Sequence, residues 1–383
     1  MENVVNPTNL PDATPNLWEG RRVFLTGHTG FKGGWLALWL ASKGAQVRGY
    51  ALDPWTEPNL FTTASIAEIL DDDRGDIRDY PKLEASLIDF EPEVVFHLAA
   101  QPLLRRSYAD PLGTYGTNVM GTANLLEAVR KCPTVRAVVC VTTDKCYQNR
   151  EWAWPYRETD PLGGHDPYSS SKACAEIVAA AYRDSYFPLN RWSEHRVALA
   201  TARAGNVIGG GDWSEDRLIP DLVRGFHAGQ PVLIRRPNAI RPWQHVLEPL
   251  YGYMILAERL LAGNAEVASA FNFGPSEDDA WPVERITAKL AAMWGHEASW
   301  VHDTAPSVHE AHYLKLDSSK ARAELSWRPR LNLEMALEWT MHWYRQWQSG
   351  ADMAAETRAQ IARYAELAAS APPGLTGLPA NPR

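Results

Sequence analysis

Cysteine is scarce in this chain, with Cys132, Cys140, Cys146 and Cys174 the only four in 383 residues. No pair has metal-ligand spacing, and nothing resembles the disulfide framework of a small secreted domain. The histidines form no ligand-like group either. Positive charge is in short supply: 38 Lys and Arg against 46 Asp and Glu leave a formal charge of −8. That balance argues against general nucleic-acid or membrane-surface binding, and an anionic ligand would need a local cluster of arginines. No apolar run approaches the roughly 20 residues that span a bilayer. The opening MENVVNPTNLPDATPNLWEG lacks the charged start and apolar core of a signal peptide. These absences predict a reduced, cytoplasmic chain with no nucleic-acid or membrane partner and no metal.

What is present is a regular alternation. RRVFLTG (21–27), AQVRGYALD (45–53), EVVFHLAA (93–100), VRAVVCVTT (135–143) and HRVALATARAGNV (195–207) read as strands. Between them GWLALWLASKG (34–44), PKLEASLIDFEP (81–92), GTYGTNVMGTANLLEAVRKC (113–132) and YSSSKACAEIVAAAYRDSY (168–186) read as helices. Strands alternating with helices predict a Rossmann-type, doubly wound parallel sheet. After residue 207 the pattern loosens into loops and helices, which predicts a smaller mixed α/β substrate domain. The expected division is a loose arm over 1–18, a mainly dinucleotide-binding unit over 19–205, a mainly substrate-binding unit over 206–350 with some exchange back, and a C-terminal helix and loose tail over 351–383. Most of the sixteen tryptophans, Trp35 and Trp39 among them, have the helical spacing of core residues.

TGHTGFKG sets Gly27, Gly30 and Gly33 at three-residue intervals between a strand and a helix. Side chains there would obstruct the tight turn, the approach of a pyrophosphate to the backbone, and the packing of helix on strand. The helix N-terminus offers unpaired N–H groups to the anion, with Phe31 and Lys32 inside the loop. Asp53, 20 residues after Gly33, is the candidate for the adenosine ribose, although Ala51 could equally end that strand. No Arg pair follows the strand, which favours NAD over NADP. Asp76 and Ile77 are placed for an adenine contact, and Leu98, Ala99 and Gln101 in HLAAQ lie at the carboxyl edge of the sheet, where ligands bind.

Tyr168 and Lys172 stand four apart in YSSSK and share a helix face. A nearby ammonium lowers a phenol's pKa, which would make Tyr168 a proton acceptor. The glycine loop, Asp76-Ile77, HLAAQ, Thr117 and Asn118 in TYGTNVMGT, and the YSSSK pair together resemble the extended short-chain dehydrogenase/reductase family. The likeness runs from about Trp18 to Trp347. It implies that Thr143, 25 residues before Tyr168, hydrogen-bonds a sugar hydroxyl whose proton Tyr168 takes while NAD accepts the hydride.

The stretch VTTDKCY adds Asp144 and Lys145 to Thr143. Members that only invert a sugar hydroxyl typically carry small or apolar residues there, so an added acid and base suggest a second proton-transfer step. Here the chain is similar to sugar-nucleotide 4,6-dehydratases, which implies Asp144 as the acid at C6 and position 145 as the base at C5. Those enzymes usually have Glu at that position. Lys145 departs from the pattern and would need burial or a neighbouring cation to act as a base. TDKCY together with GHTGFKG most resembles the members that act on CDP-glucose, and the resemblance alone implies that substrate. The alternatives are another dehydratase, epimerase or decarboxylase of the family, or a non-catalytic NAD binder.

In the second half Asn206 is expected just after a strand and on the sugar phosphate. Gln101 and Arg241 are expected on the substrate, Arg241 at its diphosphate. Arg235 and Arg236 read as solvated surface. Helices 113–132 and 168–186 could pair two copies as in family dimers, which predicts a homodimer or a higher homo-oligomer.

Overall fold

The computed structural model describes residues 16–295, 298–303 and 314–370. Seven parallel strands form its central sheet: β1 (Arg22–Thr26), β2 (Gln46–Ala51), β3 (Asp71–Arg74), β4 (Val94–His97), β5 (Ala137–Val141), β6 (Ala198–Ala204) and, much later in the chain, β10 (Ala270–Phe273). Their spatial order is β3-β2-β1-β4-β5-β6-β10. Chain order reverses between β1 and β4, and the crevice beyond that reversal is where a doubly wound sheet takes its ligand. Valine and leucine in β1, β4 and β5 are buried on both faces, as parallel strands covered by helices require.

Helix α1 (Phe31–Ser42) follows the glycine loop; Trp35, Leu36, Leu38, Trp39 and Leu40 are all buried. Helix α2 (Tyr80–Phe90) and a helical rod, α3 (111–131), cover the other face. Within α3 the segments Pro111–Tyr115 and Gly121–Lys131 are joined by a π turn at Gly116–Met120. Helix α4 (Pro167–Ser185) starts where Asp166 accepts the Ser169 N–H at 2.8 Å with Pro167 at the first helical position, two signals that fix its N-terminus.

Two differences from the sequence reading concern element ends. The strand expected over 195–207 breaks at Gly205: β6 stays in the large sheet, while β7 (Asn206–Ile208) pairs with β9 (Ile240–His245) elsewhere. Asn206 thus comes two residues after the end of β6 and itself opens β7. The arm expected over 1–18 falls mostly outside the described residues, but Trp18 is buried, 6.0 Å from the Phe96 ring, and its indole N–H donates to Glu258 at 2.6 Å. The apolar ring and its polar tip are both satisfied there, which holds the chain down at that point.

After β7 the chain forms α5 (Leu218–His227), the short pair β8 (Val232–Ile234) and β12 (Trp300–His302), and β11 (Ala280–Pro282) paired with β9. α6 (Leu247–Leu261) carries Glu248, which has no exposed surface. Its carboxylate accepts the N–H groups of Arg330 and Leu331 at 2.8 and 2.6 Å and the Tyr364 hydroxyl at 2.7 Å. Longer helices later in the chain are α7 (Val283–Trp294), α8 (Leu333–Gln348) and α9 (Met353–Ser370). The helix expected in ADMAAETRAQIARYAELAAS is thus α9, and it docks by Trp343 to Thr357 and Gln360 to Trp339 hydrogen bonds. The loose end expected after it lies outside the described residues.

Candidate active site

A cleft of about 1220 Å³ runs from the glycine loop across the carboxyl edge of the sheet to β8, β9 and α5. That exceeds the roughly 300–1000 Å³ of a single small-molecule site, so it has room for two ligands end to end. At one end the chain turns at Gly27 (φ +79°) and enters α1 at Gly30, a helix start with no side-chain cap. A Cβ on Gly33 would stand 2.1 Å from the Gly27 carbonyl oxygen, so that position tolerates no side chain. A Cβ on Gly30 would meet only that same oxygen, at 3.4 Å, and would otherwise project into open space. The loop is therefore built tight at its base and left open at its rim, which suits the approach of a pyrophosphate.

All the expected cofactor residues line the cleft: Gly27, Gly30, Phe31, Lys32, Gly33, Asp53, Asp76, Ile77, Leu98, Ala99, Gln101 and Thr117. Asp53 is exposed and lies 3.5 Å from Arg74; β2 itself ends at Ala51. The Asp76 carboxylate is held below its ordinary range chiefly by hydrogen bonds from Arg78. Leu98 and Ala99 donate their N–H groups to Thr26 Oγ1, both at 3.1 Å, which ties the end of β4 to β1. Asn118 pins the next residues, accepting the Gln101 N–H at 2.8 Å and donating to the Gln101 carbonyl at 3.1 Å and to Ser171 at 2.8 Å. The Gln101 side chain, expected on substrate, is engaged with Leu103 and Thr114.

Thr143, Asp144, Lys145, Tyr168 and Lys172 meet in the middle of the same cleft. Thr143 donates to Asp144 Oδ1 at 2.9 Å and caps the short 3-10 turn Asp144–Cys146. Both residues are buried. The Asp144 carboxylate lies against the backbone of Gly205, where a Cβ would stand 3.0 Å from Oδ2. Lys145 is half-buried, its ammonium 6.0 Å from the centre of the Tyr168 ring. Burial pushes the Tyr168 phenol up to about 12, with the Thr143 hydrogen bond pulling the other way. The lowering expected from Lys172 does not set the phenol: burial dominates, Thr143 and Arg217 oppose it, and the Lys172 ammonium is turned to the Val141 carbonyl, 3.4 Å away. Burial also brings Lys172 down to about 8.

Charges of both signs line the cleft, with Asp144, Asp166, Asp212, Asp216 and Asp221 among the acids. Lys32, Arg105, Arg217, Arg235, Arg236 and Arg241 line it. Lys32 is brought down to about 7, first by burial and then by Arg217 and Lys172. Arg235 and Arg236, read from sequence as solvated surface, belong to this lining; Arg235 donates twice to Asp216, at 2.8 and 2.9 Å, and Arg105 lies 3.4 Å from the same carboxylate. Asn206 is on the cleft wall as well. Arg105 and Arg217 carried no motif and were not legible beforehand. Among the described residues no three His, Cys, Asp or Glu side chains form a group fit for a metal ion, and no helix is long and apolar enough to cross a membrane.

The family model for GDP-mannose 4,6 dehydratase matches residues 24–271. This chain belongs to that family. The family is of the extended short-chain dehydrogenase/reductase type. The chain is 53% identical to the CDP-glucose 4,6-dehydratase of Salmonella typhimurium, over 91% of its own length and 97% of that protein's. It is 28% identical to a dTDP-glucose 4,6-dehydratase of Xanthomonas campestris pv. campestris, over 84% of this chain and 92% of the other. In fold it is similar to the dTDP-glucose 4,6-dehydratase of Streptomyces venezuelae, solved with NAD bound, with a TM-score of 0.72 at 24% identity over 87% of this chain and 99% of that one. The Rossmann-type α/β fold expected from the strand–helix alternation is the fold of this dehydratase family.

Proposed function

We propose that this protein is an NAD-dependent CDP-glucose 4,6-dehydratase, which converts CDP-D-glucose to CDP-4-keto-6-deoxy-D-glucose. The observation that carries the proposal is the meeting of Asp144 and Lys145 with Thr143 and Tyr168 in one cleft. Oxidation and reduction of a hydroxyl by NAD need only Thr143, Tyr168 and Lys172 from the protein. The extra acid and base are what loss of water requires. The 53% identical relative bears the same activity in its name.

NAD, when bound, supplies the hydride acceptor for C4 and the hydride donor for C6. The glycine loop and α1 N-terminus would hold its pyrophosphate, Asp53 its adenosine ribose, and Asp76 and Ile77 its adenine side. Tyr168 takes the proton of the C4 hydroxyl, which Thr143 orients. Because burial raises the phenol, that proton transfer depends on the groups that oppose it, the Thr143 hydrogen bond and the positive charge of Arg217. The resulting ketone acidifies the hydrogen on C5. Lys145 removes that proton while Asp144 gives one to the departing C6 oxygen, so that one water leaves and C5 and C6 become doubly bonded; the Lys145 ammonium then returns its proton to C5 as C6 is reduced. Asn206 and Arg241 are assigned to the sugar phosphate and diphosphate.

Exposed Leu112, Tyr115 and Met120 on α3 and Ile177 on α4 support pairing of these helices with a second copy. Incubation with NAD and separately with CDP-, dTDP-, UDP- and GDP-glucose, read by mass spectrometry, tests the function. Loss of one water from the CDP sugar alone is expected. Loss from another sugar nucleotide would keep the mechanism and remove the base assignment, and loss from none would overturn the dehydratase reading.

A further inference from the structure

Directly behind the Thr143–Lys145 turn, a second set of polar groups lies outside the chemistry described above. Glu176 and Arg203 form a salt bridge at 2.7 Å with side chains 3% and 4% exposed. Burying such a pair is costly, and apolar residues of similar volume often do as well or better, so its bonding partners are informative. Glu176 accepts hydrogen bonds from Thr142 Oγ1, from Thr201 at 2.7 Å and from Arg203. Arg203 donates to the Tyr147 hydroxyl at 2.8 Å, and Tyr147 in turn donates to Asn272 at 2.7 Å.

Thr142 and Tyr147 are the residues at the two ends of the turn that presents Thr143, Asp144 and Lys145. The carboxylate therefore holds the front end of the turn and the guanidinium holds its back end. Glu176 is also one helical turn beyond Lys172, which is one turn beyond Tyr168, so the same carboxylate fixes α4 against the turn. The Arg203 guanidinium lies 5.0 Å from the centre of the Tyr147 ring, which adds a face contact to the hydroxyl bond.

We propose that Glu176 and Arg203 are positioning residues, a buried clamp that sets the acid–base turn and the Tyr168–Lys172 face of α4 in register for elimination of water. The proposal rests on the dehydratase reading for its kinetic readout but not for its structural one. A carboxylate or amine displaced by an ångström loses a large part of its rate advantage.

The test uses two variants of the full-length protein. Tyr147→Phe keeps the ring and removes the bond that holds the back of the turn, while Arg203→Lys keeps the charge and loses the fork. In Tyr147→Phe, kcat for water loss is expected to fall about tenfold with KM changed less than about twofold. More 4-ketohexose still carrying its C6 hydroxyl should be trapped by borohydride. Amide hydrogen exchange at 142–147 should rise about tenfold while β5, residues 137–141, stays protected. Arg203→Lys should fall between this variant and the wild type. An unchanged ratio of trapped ketone to dehydrated product would overturn the proposal. So would exchange that rises evenly across the sheet, because that is what a merely stabilising ion pair would give. A wild-type protein that dehydrates no sugar nucleotide would sink the dehydratase reading alone, and the exchange experiment would still decide the clamp.

Discussion

Glu176 and Glu248 are both shut away from solvent, one beneath the catalytic turn and the other beneath the C-terminal helices, and the protein handles them in opposite ways. Burial works against the charge of each. At Glu176 the field and hydrogen bonds of Arg203, with two threonine hydroxyls, overcome that penalty and hold the carboxyl below its ordinary range. At Glu248 the partners are two backbone N–H groups and the Tyr364 phenol, with only a weaker field from Arg330, and the carboxyl is pushed up to about 7. A full countercharge with a hydrogen bond keeps a buried acid ionised, whereas dipoles alone do not. The region that must keep its geometry through a reaction has the pair; the region that only packs does without it.

The largest effect should come from breaking the pair. Arg203→Met leaves Glu176 buried and unmatched, at a cost of about 3–5 kcal/mol in a denaturant titration. Glu248→Gln at pH 8 should cost less than about 1 kcal/mol, because it removes a charge that has no ion partner. Equal losses would erase the contrast between the two sites.

Next in size is the pH dependence of stability. The folded value of Glu248 lies above its unfolded value near 4.5, so its contribution is complete below that pH and is lost as pH rises through about 7. The loss is on the order of 3 kcal/mol. Glu176 is shifted the other way, so its contribution is present above the ordinary carboxylate range and is lost in acid. Protection factors in α9, with the intrinsic pH dependence of amide exchange divided out, should therefore fall between about pH 5 and pH 7, while those at 142–147 stay flat. Parallel profiles in the two segments would refute the distinction.

Lys172 gives a smaller effect, on activity. Burial lowers it to about 8, and Glu176 is among the groups holding it up. Activity should fall about tenfold per pH unit above 8 as the ammonium is lost. Glu176→Gln should move that limb to lower pH, and an unmoved limb would disconnect the two residues. The smallest change is Tyr364→Phe, about 1 kcal/mol for one hydrogen bond. Its bond favours the ionised acid, so without it the α9 transition should move to higher pH.

Much of this was legible in the residues. The glycine loop, the parallel alternation and the Tyr168–Lys172 spacing depend on local pattern, and each occupies its expected place in the fold. Other features were not local. β3 is written Asp-Asp-Asp-Arg, with none of the β-branched content that marks a buried strand, and is a strand only because β2 supplies its ladder. Gly205, just past the end of β6, has Asp144 against it, a neighbour 61 positions away in the chain. Arg235 reads as surface until Asp216 and Arg105 are seen beside it. Glu176 had a faint signal, four residues beyond Lys172, but only the position of Arg203 on β6 makes it a clamp.

The seventh strand comes from a part of the chain more than 60 residues beyond β6, after the substrate-side segments have been laid down. Phe271 and Phe273 of that strand are fully buried. A polypeptide cut after residue 205 would therefore present β6 as a bare, apolar edge open to pairing with its own copies. The first 205 residues therefore do not make a closed folding unit, and the last strand the sheet needs is among the last parts of it to leave the ribosome.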